Sequence, residues 1–579
     1  MGPSRSLGQV DDQVWHEARG LAAPGGADKE FAALADRTVE ALLELDPIEA
    51  TSLGEHRYDD RLPDMSAAGA ARALDILADG LLAIDQVDDT ALSVGAGIDL
   101  EILRNRLSAH RFSLDTVREH TWNPLYANPG TALHLLLARE FAPLADRLRS
   151  LAGRLSEVPQ SLADSREILS DLPRVHVETA IGQFEGTLHL LGSEIDTALA
   201  KEPGLRGVVL PTREAAAEAV ELHLTWLRAE LEHAQRDPRL GPEKFAAKLW
   251  HTLDAEISPD EVLHSAEMDL ARLEGEIART AAAYLQVGAP PPDDAAQVVR
   301  RALDAVAADG LVTDATVLSL CVAALARTTD FVREHDLMTV HDDPVEVIVM
   351  PEIHRGVAVA YCDPPGPLET SALPTFFAVS PTPTDWSADR VASFYREYNA
   401  HMLHNLTVHE AMPGHVLQLA HSRRSTAPSI VRQAFWSGPF VEGWAVYAEE
   451  LMAERGYSGD GTERGALAIR LQQLKMQLRM TINAILDVRV HTRGMTEDEA
   501  VRLMVGRGHQ EEGEAVGKWR RALLTSTQLS TYYVGWSSVR GLITDLRIVD
   551  PSLTDRQLHD AVLSHGSPPP RHLRSLLGI

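Results

Sequence analysis

Apolar residues at 31–45 recur with a 3.6-residue period, and Asp46-Pro47 then punctuates the pattern. One face of such a segment is made to be buried against other helices. The same Ala/Leu-rich amphipathic period returns at 131–155, 177–200, 213–235, 258–285, 295–308, 314–334, 389–411, 429–455, 463–490, 496–505 and 554–564. Acidic or Ser/Thr residues open several of these stretches, as at Ser258-Pro259 and Thr496-Glu497, where they can cap a first turn. The chain is therefore predicted to be mainly α. No fixed repeat relates the segments, which excludes a solenoid of short units.

Three stretches depart from this rule. Val345 to Met350, Val357 to Tyr361 and Thr375 to Ser380 are short, β-branched or aromatic, and bounded by Pro and Gly. They predict a small sheet within 345–380, just ahead of the most informative helix. The length of 579 residues exceeds the roughly 250–300 that a single core can organise. After a tail of 1–29, an N-terminal helical lobe is expected over 30–290 and a C-terminal helical lobe, carrying the sheet, over 291–579. The Gly/Pro-rich stretch 288–293 marks the join.

Charge narrows the partners. With 54 Lys+Arg against 84 Asp+Glu the formal net charge is −30, which disfavours nucleic acid and anionic membranes, both polyanions themselves. Two cysteines, Cys321 and Cys362, are too few for a disulfide framework and point to the cytoplasm. Residues 1–15 lack the apolar stretch of a secretory signal, and residues 2–6 fit a myristoylation pattern only formally. The longest apolar runs, such as 315–326, are interrupted and too short to span a bilayer.

The segment Thr407-Val-His409-Glu410-Ala-Met-Pro413-Gly414-His415-Val-Leu-Gln418 carries the strongest chemical signal. His-Glu followed by a second His is how zinc hydrolases arrange two imidazole ligands and a carboxylate base. The usual spacing is i, i+4; here it is i, i+6, which on an ideal helix sets the two histidines about 120° apart. Pro413 resolves the conflict, because its ring clashes with the carbonyl of residue 409 and forces the helix to break or widen. Gly414 supplies the backbone freedom for that distortion. Two unrelated histidines at a helix end are the plain alternative in a chain with 24 His. The stretch Val441-Glu442-Gly443-Trp444-Ala-Val-Tyr447-Ala-Glu449-Glu450 shifts the balance. Glu442 can complete a His₂Glu site with one position open to water. Glu449, on nearly the same face, can orient a ligand imidazole, and Gln418 is assigned the same supporting part. Glu450 is read as solvated, and His401, His404 and His421 as helix-face histidines.

Two further clusters follow. Asp487 and His491 are i, i+4 neighbours near a helix end, so the carboxylate can fix the tautomer of the imidazole; a capped helix end with a surface ion pair fits the spacing equally well. Arg489 and Arg493 flank His491 and could grip a substrate carboxylate bidentately. Tyr532 and Tyr533 precede Gly535; such pairs are usually core packing, but a phenol aimed at a developing oxyanion suits a zinc hydrolase.

Together these residues resemble the bacterial domain-of-unknown-function family 885, itself similar in fold to the carboxypeptidase Taq group of zinc metallopeptidases. The resemblance runs from about residue 30 to the C-terminus. It rests on 45–54 and 56–63 near the start, on His409 to His415 with Gln418, and on Glu442 to Tyr447 with Glu449. Asp487, His491 and Gly494, Tyr532 with Gly535, and Leu558-His559-Asp560 with Gly566 extend it. Val416 departs from the pattern, since many relatives carry a second consecutive His there, so the ligand role rests on His415. The resemblance implies a bilobed, mainly helical shell around a deep groove, a small sheet along one wall, and a zinc peptidase-like site.

The expectation is thus a Zn²⁺-dependent hydrolase of peptide or related amide bonds, carboxypeptidase-like, with Mn, Co or Fe able to occupy the same ligands. His409, His415 and Glu442 bind the metal, Glu410 is the base, and His491 and Tyr532 stabilise the tetrahedral intermediate. Arg489, Arg493 and Tyr533 contact substrate. A tailoring enzyme for a small amide-containing metabolite, or a binding protein that keeps the fold without turnover, are the alternatives. A homodimer stays open.

Overall fold

The computed structural model describes residues 25–350, 359–383, 386–425 and 429–579. The expectations placed on the first 24 residues, a tail without a signal and a formal myristoylation pattern, lie outside that set. The first described helix already begins at Gly26 and runs to Leu45.

The fold is mainly α, as predicted. Helices Gly26–Leu45, Ala67–Asp85 and Val94–Phe112 bury Phe31, Val39, Leu77, Leu103 and Leu107 in one N-terminal core. Helices Leu144–Ile168, Arg174–His189 and Arg206–Glu230 form a second around Leu155, Phe184 and Leu224. The largest core joins Pro242–Leu253, Pro259–Tyr284 and Pro292–Asp309 to Gly438–Glu454, Glu463–Arg493 and Ser530–Val549 through Phe245, Phe440, Trp444 and Trp536. Hydrophobic packing therefore continues across 288–293, and the helices on both sides of that stretch share one core. Val431 and Phe435, from the short helix Ile430–Ala434, insert into the N-terminal core, and Arg432 beside them forms a buried ion pair with Asp99 at 2.7 Å.

Where periodicity predicted one continuous helix, capping side chains divide it. The 389–411 pattern breaks at Tyr398, and Asn399 accepts from Met402 N to start Ala400–Glu410. Likewise, Ser437 caps Gly438–Glu454 and separates it from Ile430–Ala434. Helices Ala67–Asp85, Val94–Phe112, Pro242–Leu253, Glu512–Leu524, Ser530–Val549 and Pro570–Leu577 lay outside the predicted segments. The 31-residue helix Glu463–Arg493 threads the centre of the molecule, about 46 Å long at the usual rise, with buried residues around most of its circumference.

The sheet has strands β1 (Val345–Val349), β2 (Ala360–Asp363) and β3 (Thr375–Val379) in the order β1-β3-β2, with β1 parallel and β2 antiparallel to β3. The second strand was expected over 357–361; residues 357–358 lie outside the described set, and β2 extends two residues further. As an edge strand, β2 lines a cavity of about 1560 Å³. The loop after β2 is stitched to the N-terminal segment: Leu368 N donates to Leu53 O at 2.8 Å, and His56 bridges Asp59 and Glu369 at 3.0 Å each. A Cβ on Gly366 would lie 2.3 Å from the Leu53 carbonyl carbon, so only glycine permits that approach. Among the described residues no helix is long and apolar enough to cross a membrane.

Candidate metal centre

The helix Ala400–Glu410 ends where Pro413 requires it to, and a new helix, His415–Ser422, begins after four residues of loop. That loop folds back on the helix it leaves: Gly414 N donates to Val408 O at 2.8 Å, and Trp444 Nε1 holds Pro413 O at 2.9 Å. A Cβ at Gly414 would stand 1.8 Å from the His409 carbonyl oxygen, so the position is closed to any side chain. The tight return swings His415 beside His409, their ring centroids 4.8 Å apart and their planes at 84°. The i, i+6 spacing is thus reconciled by a helix break.

Glu442 reaches the same point from Gly438–Glu454, its Oε2 3.5 Å from His409 Nε2 and 3.8 Å from His415 Nε2. Ligand atoms of the three residues lie within 4.8 Å of one another. Two ligands held at about 2.0–2.1 Å in tetrahedral geometry stand roughly 3.3 Å apart, so small adjustments would close the set on one ion. Glu442 Oε2 is buried without a hydrogen-bond donor among the described residues, as an acceptor awaiting a cation would be. Glu449, on the same helix, pairs through Oε1 with His409 Nδ1 at 2.7 Å, and its Oε2 accepts from Asn405 at 2.6 Å.

A close helix crossing fixes the other side. A Cβ on Gly443 would lie 2.2 Å from the backbone of Gly535, and one on Gly535 would lie 2.1 Å from Pro439 O. Gly438–Glu454 and Ser530–Val549 therefore meet backbone to backbone, which brings Glu442 and Tyr532 onto the same cavity wall. The Tyr532 oxygen accepts from Arg521 Nη2 and Gln528 Nε2, each at 3.3 Å, leaving its own hydrogen free to donate.

Glu410 Oε2 accepts from the Cys362 amide of β2 at 3.1 Å. Burial pushes its carboxyl up to about 7; Glu442 and Glu449 add to the rise, against the pull of His409 and the Cys362 amide. Burial, together with His409, takes His415 down to about 4, which leaves it a neutral ligand. His409 is raised: burial works against its charge, but the facing carboxylates of Glu442 and Glu449 outweigh it. A cation entering here would replace a proton on His409.

Several expected site residues stand elsewhere. His491 is 2% exposed, stacks on Phe245, and its Nε2 lies 3.0 and 2.9 Å from the carbonyls of Ala522 and Thr525. Asp487, fully buried, accepts from Thr527 N and from Ser530 N and Oγ, holding the start of Ser530–Val549. Both secure the turn beneath Tyr532 rather than face the cavity. Arg489 pairs with Glu267 and Arg493 with Asp260, on the outside of their helix. Tyr533, turned about 100° round the helix from Tyr532 by the one-residue step, donates instead to Asp269 at 2.8 Å. Gln418 donates to Ser567 at 2.7 Å and anchors the C-terminal segment instead of a ligand. Glu450 does point away from the centre, but it is 5% exposed and accepts from Trp536 at 2.8 Å. His404 and His421 bond Tyr457 and the Thr339 carbonyl.

Sequence reasoning passed over another stretch of the cavity wall. Lys518 and Arg521 on Glu512–Leu524, and Arg479 on the central helix, all line the cavity. Glu512–Leu524 buries Ala515, Trp519 and Ala522 at i, i+4 and i+7, an apolar face that reading the sequence left unassigned.

The family described as "Bacterial protein of unknown function (DUF885)" matches residues 47–577. A solved structure from Shewanella oneidensis, provisionally described as a lipoprotein of unknown function, is similar at 28% identity and a TM-score of 0.80, covering 95% of this chain and all of that one. Another, from Colwellia psychrerythraea and provisionally described as a lipoprotein, shares the fold at 16% identity and a TM-score of 0.78, over 95% of this chain and 98% of its own. No curated protein matches the chain.

Proposed function

The chain belongs to the bacterial DUF885 family, whose function is unknown, and from its site we propose that it is a metal-dependent hydrolase of peptide or related amide bonds. The observation that carries this reading is the convergence of His409, His415 and Glu442, with Glu410 beside them in one large cavity. The donor set, two imidazoles and a carboxylate, suits zinc. Held there, the ion would supply Lewis-acid polarisation of the scissile carbonyl and acidify water at the open position.

The chain's own residues do the rest. Glu410 takes a proton from the attacking water as its oxygen bonds to the carbonyl carbon, and returns that proton to the amine as the C–N bond breaks. Glu449 holds His409 by its far nitrogen. Tyr532, its oxygen already satisfied by Arg521 and Gln528, offers its hydrogen to the developing oxyanion. Cys362 N–H points away from β3 and toward Glu410, so the outer edge of β2 faces the cavity, and an extended substrate could pair along it beside the base. A volume above the roughly 300–1,000 Å³ of small-molecule sites favours a peptide over a single metabolite.

For location, two observations pull apart. Cys321 and Cys362 are both free thiols, which favours the reducing cytoplasm, whereas the two similar structures are provisionally described as lipoproteins. We propose the cytoplasm, and cell fractionation decides.

The test separates metal from chemistry. Purified protein is expected to carry about one equivalent of transition metal; Glu410→Gln keeps it, while cleavage of a peptide library falls by several orders of magnitude. Full activity in Glu410→Gln removes the base, and full metal occupancy in His415→Ala removes the ligand set.

A further inference from the structure

We infer that Lys518 and Arg521 form an anion subsite that receives the α-carboxylate at the C-terminus of a peptide substrate, which makes the centre an exopeptidase. This rests on the hydrolase reading above and names its substrate class.

The helix Glu512–Leu524 forms one cavity wall, and Glu514, Gly517, Lys518 and Arg521 share a face at i, i+3, i+4 and i+7. Several other cations on the wall have partners: Arg479 pairs with Glu514, Arg139 with Asp363 at 2.9 Å, Arg432 with Asp99 at 2.7 Å, and Arg390 stacks on Trp386 at 3.8 Å. Lys518 is different. It is only 6% exposed, lines the cavity, and has no hydrogen bond or ion pair among the described residues. Among the described residues Arg521 has only neutral hydrogen-bond partners, Gln528 Oε1 at 2.9 Å and the Tyr532 oxygen at 3.3 Å.

An uncompensated ammonium in a buried wall costs stability unless an anion joins it. Burial, reinforced by the charges of Arg479 and Arg521, drives Lys518 well below its ordinary value. An arriving carboxylate would reverse that. Space exists for one, since a Cβ on Gly517 or Gly513 would meet nothing within 4 Å. The position suits a terminal residue: Arg521 touches Tyr532, the proposed oxyanion donor, and lies within electrostatic reach of Glu442. A carboxylate gripped there sits about one side chain from the scissile carbonyl, on the leaving-amine fragment. Guanidinium presents the planar donors that a carboxylate accepts in pairs. A net charge of −30 would repel an anionic terminus at long range, so local cations are needed to hold one.

The probe is N-acetyl-Ala-Ala-Ala against its C-terminal amide, with both turnover and binding measured. Wild type is expected to favour the acid at least 100-fold in kcat/KM. Metal-loaded Glu410→Gln, which binds without turning over, should favour it at least tenfold in Kd. Adding Lys518→Met and Arg521→Met should bring both ratios toward one with metal content retained, while Arg521→Lys restores part of the preference. Lys518→Met alone should raise Tm, as removal of a buried amine without a partner does, which also shows that the variant folds. Equal binding of acid and amide, or a preference that survives the double substitution, overturns the subsite. A binding preference without any turnover overturns the hydrolase reading and leaves the subsite standing.

Discussion

His409 is addressed at both ring nitrogens, by Glu449 on one side and by the ligand point on the other, whereas His415 Nδ1 has no partner among the described residues. The two imidazoles therefore contribute unequally, and Glu449 is expected to set the basicity and aim of the better one. Glu449→Ala should weaken metal binding about 10–100-fold, read by titration against a competing chelator; unchanged affinity would show that the pair is structural only. At this scale the sequence was most legible where covalent geometry forces the outcome. Pro413 and Gly414 imply a break with a single workable direction, and Glu449 shares a face with Glu442 on any helix. It was least legible at His491. An i, i+4 pair with Asp487 looks the same whether the imidazole faces a cavity or ties down a buried turn, and burial in three dimensions decides.

The crossing of Gly438–Glu454 with Ser530–Val549 sets the distance from Glu442 to Tyr532 through Gly443 and Gly535. A methyl group at either glycine has no free volume to enter. Gly535→Ala should cost about 1–3 kcal/mol in stability, seen as a lower Tm, and should reduce kcat more than KM because Tyr532 moves with its helix. If kcat falls only in proportion to the folded fraction, the crossing serves packing alone. Periodicity did not decide which helices were read: the deeply buried Glu463–Arg493 was read as 463–490, whereas Ser530–Val549, with Val539, Leu542, Ile543 and Leu546 at i, i+3, i+4 and i+7, was read only for its Tyr532 and Gly535. Asn399 and Ser437 cut helices that periodicity alone ran together, because a side-chain cap competes locally with continuation of the helix.

Over the whole molecule, the buried histidines set the acid limit. Burial takes His176 and His559 down to about 4, and His223 and His572 to about 3. In the unfolded chain such groups titrate near 6.5. Below that pH the unfolded state gains protons that the native state refuses, so stability falls with pH from about 6.5 until the native pKa values are reached. The contribution of these four histidines to Tm is expected to be level above pH 7 and to drop steadily toward pH 4. Each such histidine contributes about 1.4 kcal/mol per pH unit within that window. His223→Gln, far along the chain from the metal ligands, should make the drop shallower; an unchanged slope would mean that the histidine protonates in place. The mainly α class and the small sheet were legible at this scale, because composition and period act along the chain. The sharing of one core across 288–293 was not, since it depends on which distant faces meet.

The Arg432–Asp99 pair, spanning 333 residues, has a consequence for inheritance. Arg432 lies between the segment that supplies His415 and the one that supplies Glu442, while Asp99 belongs to the opening helices. A recombination that brought in the front of the gene from a relative with a neutral residue at 99 would leave a guanidinium stranded in the wall of the cavity. The two ends of the coding sequence are thus bound to change together, and the N-terminal third is no freely exchangeable module, although no ligand or base comes from it.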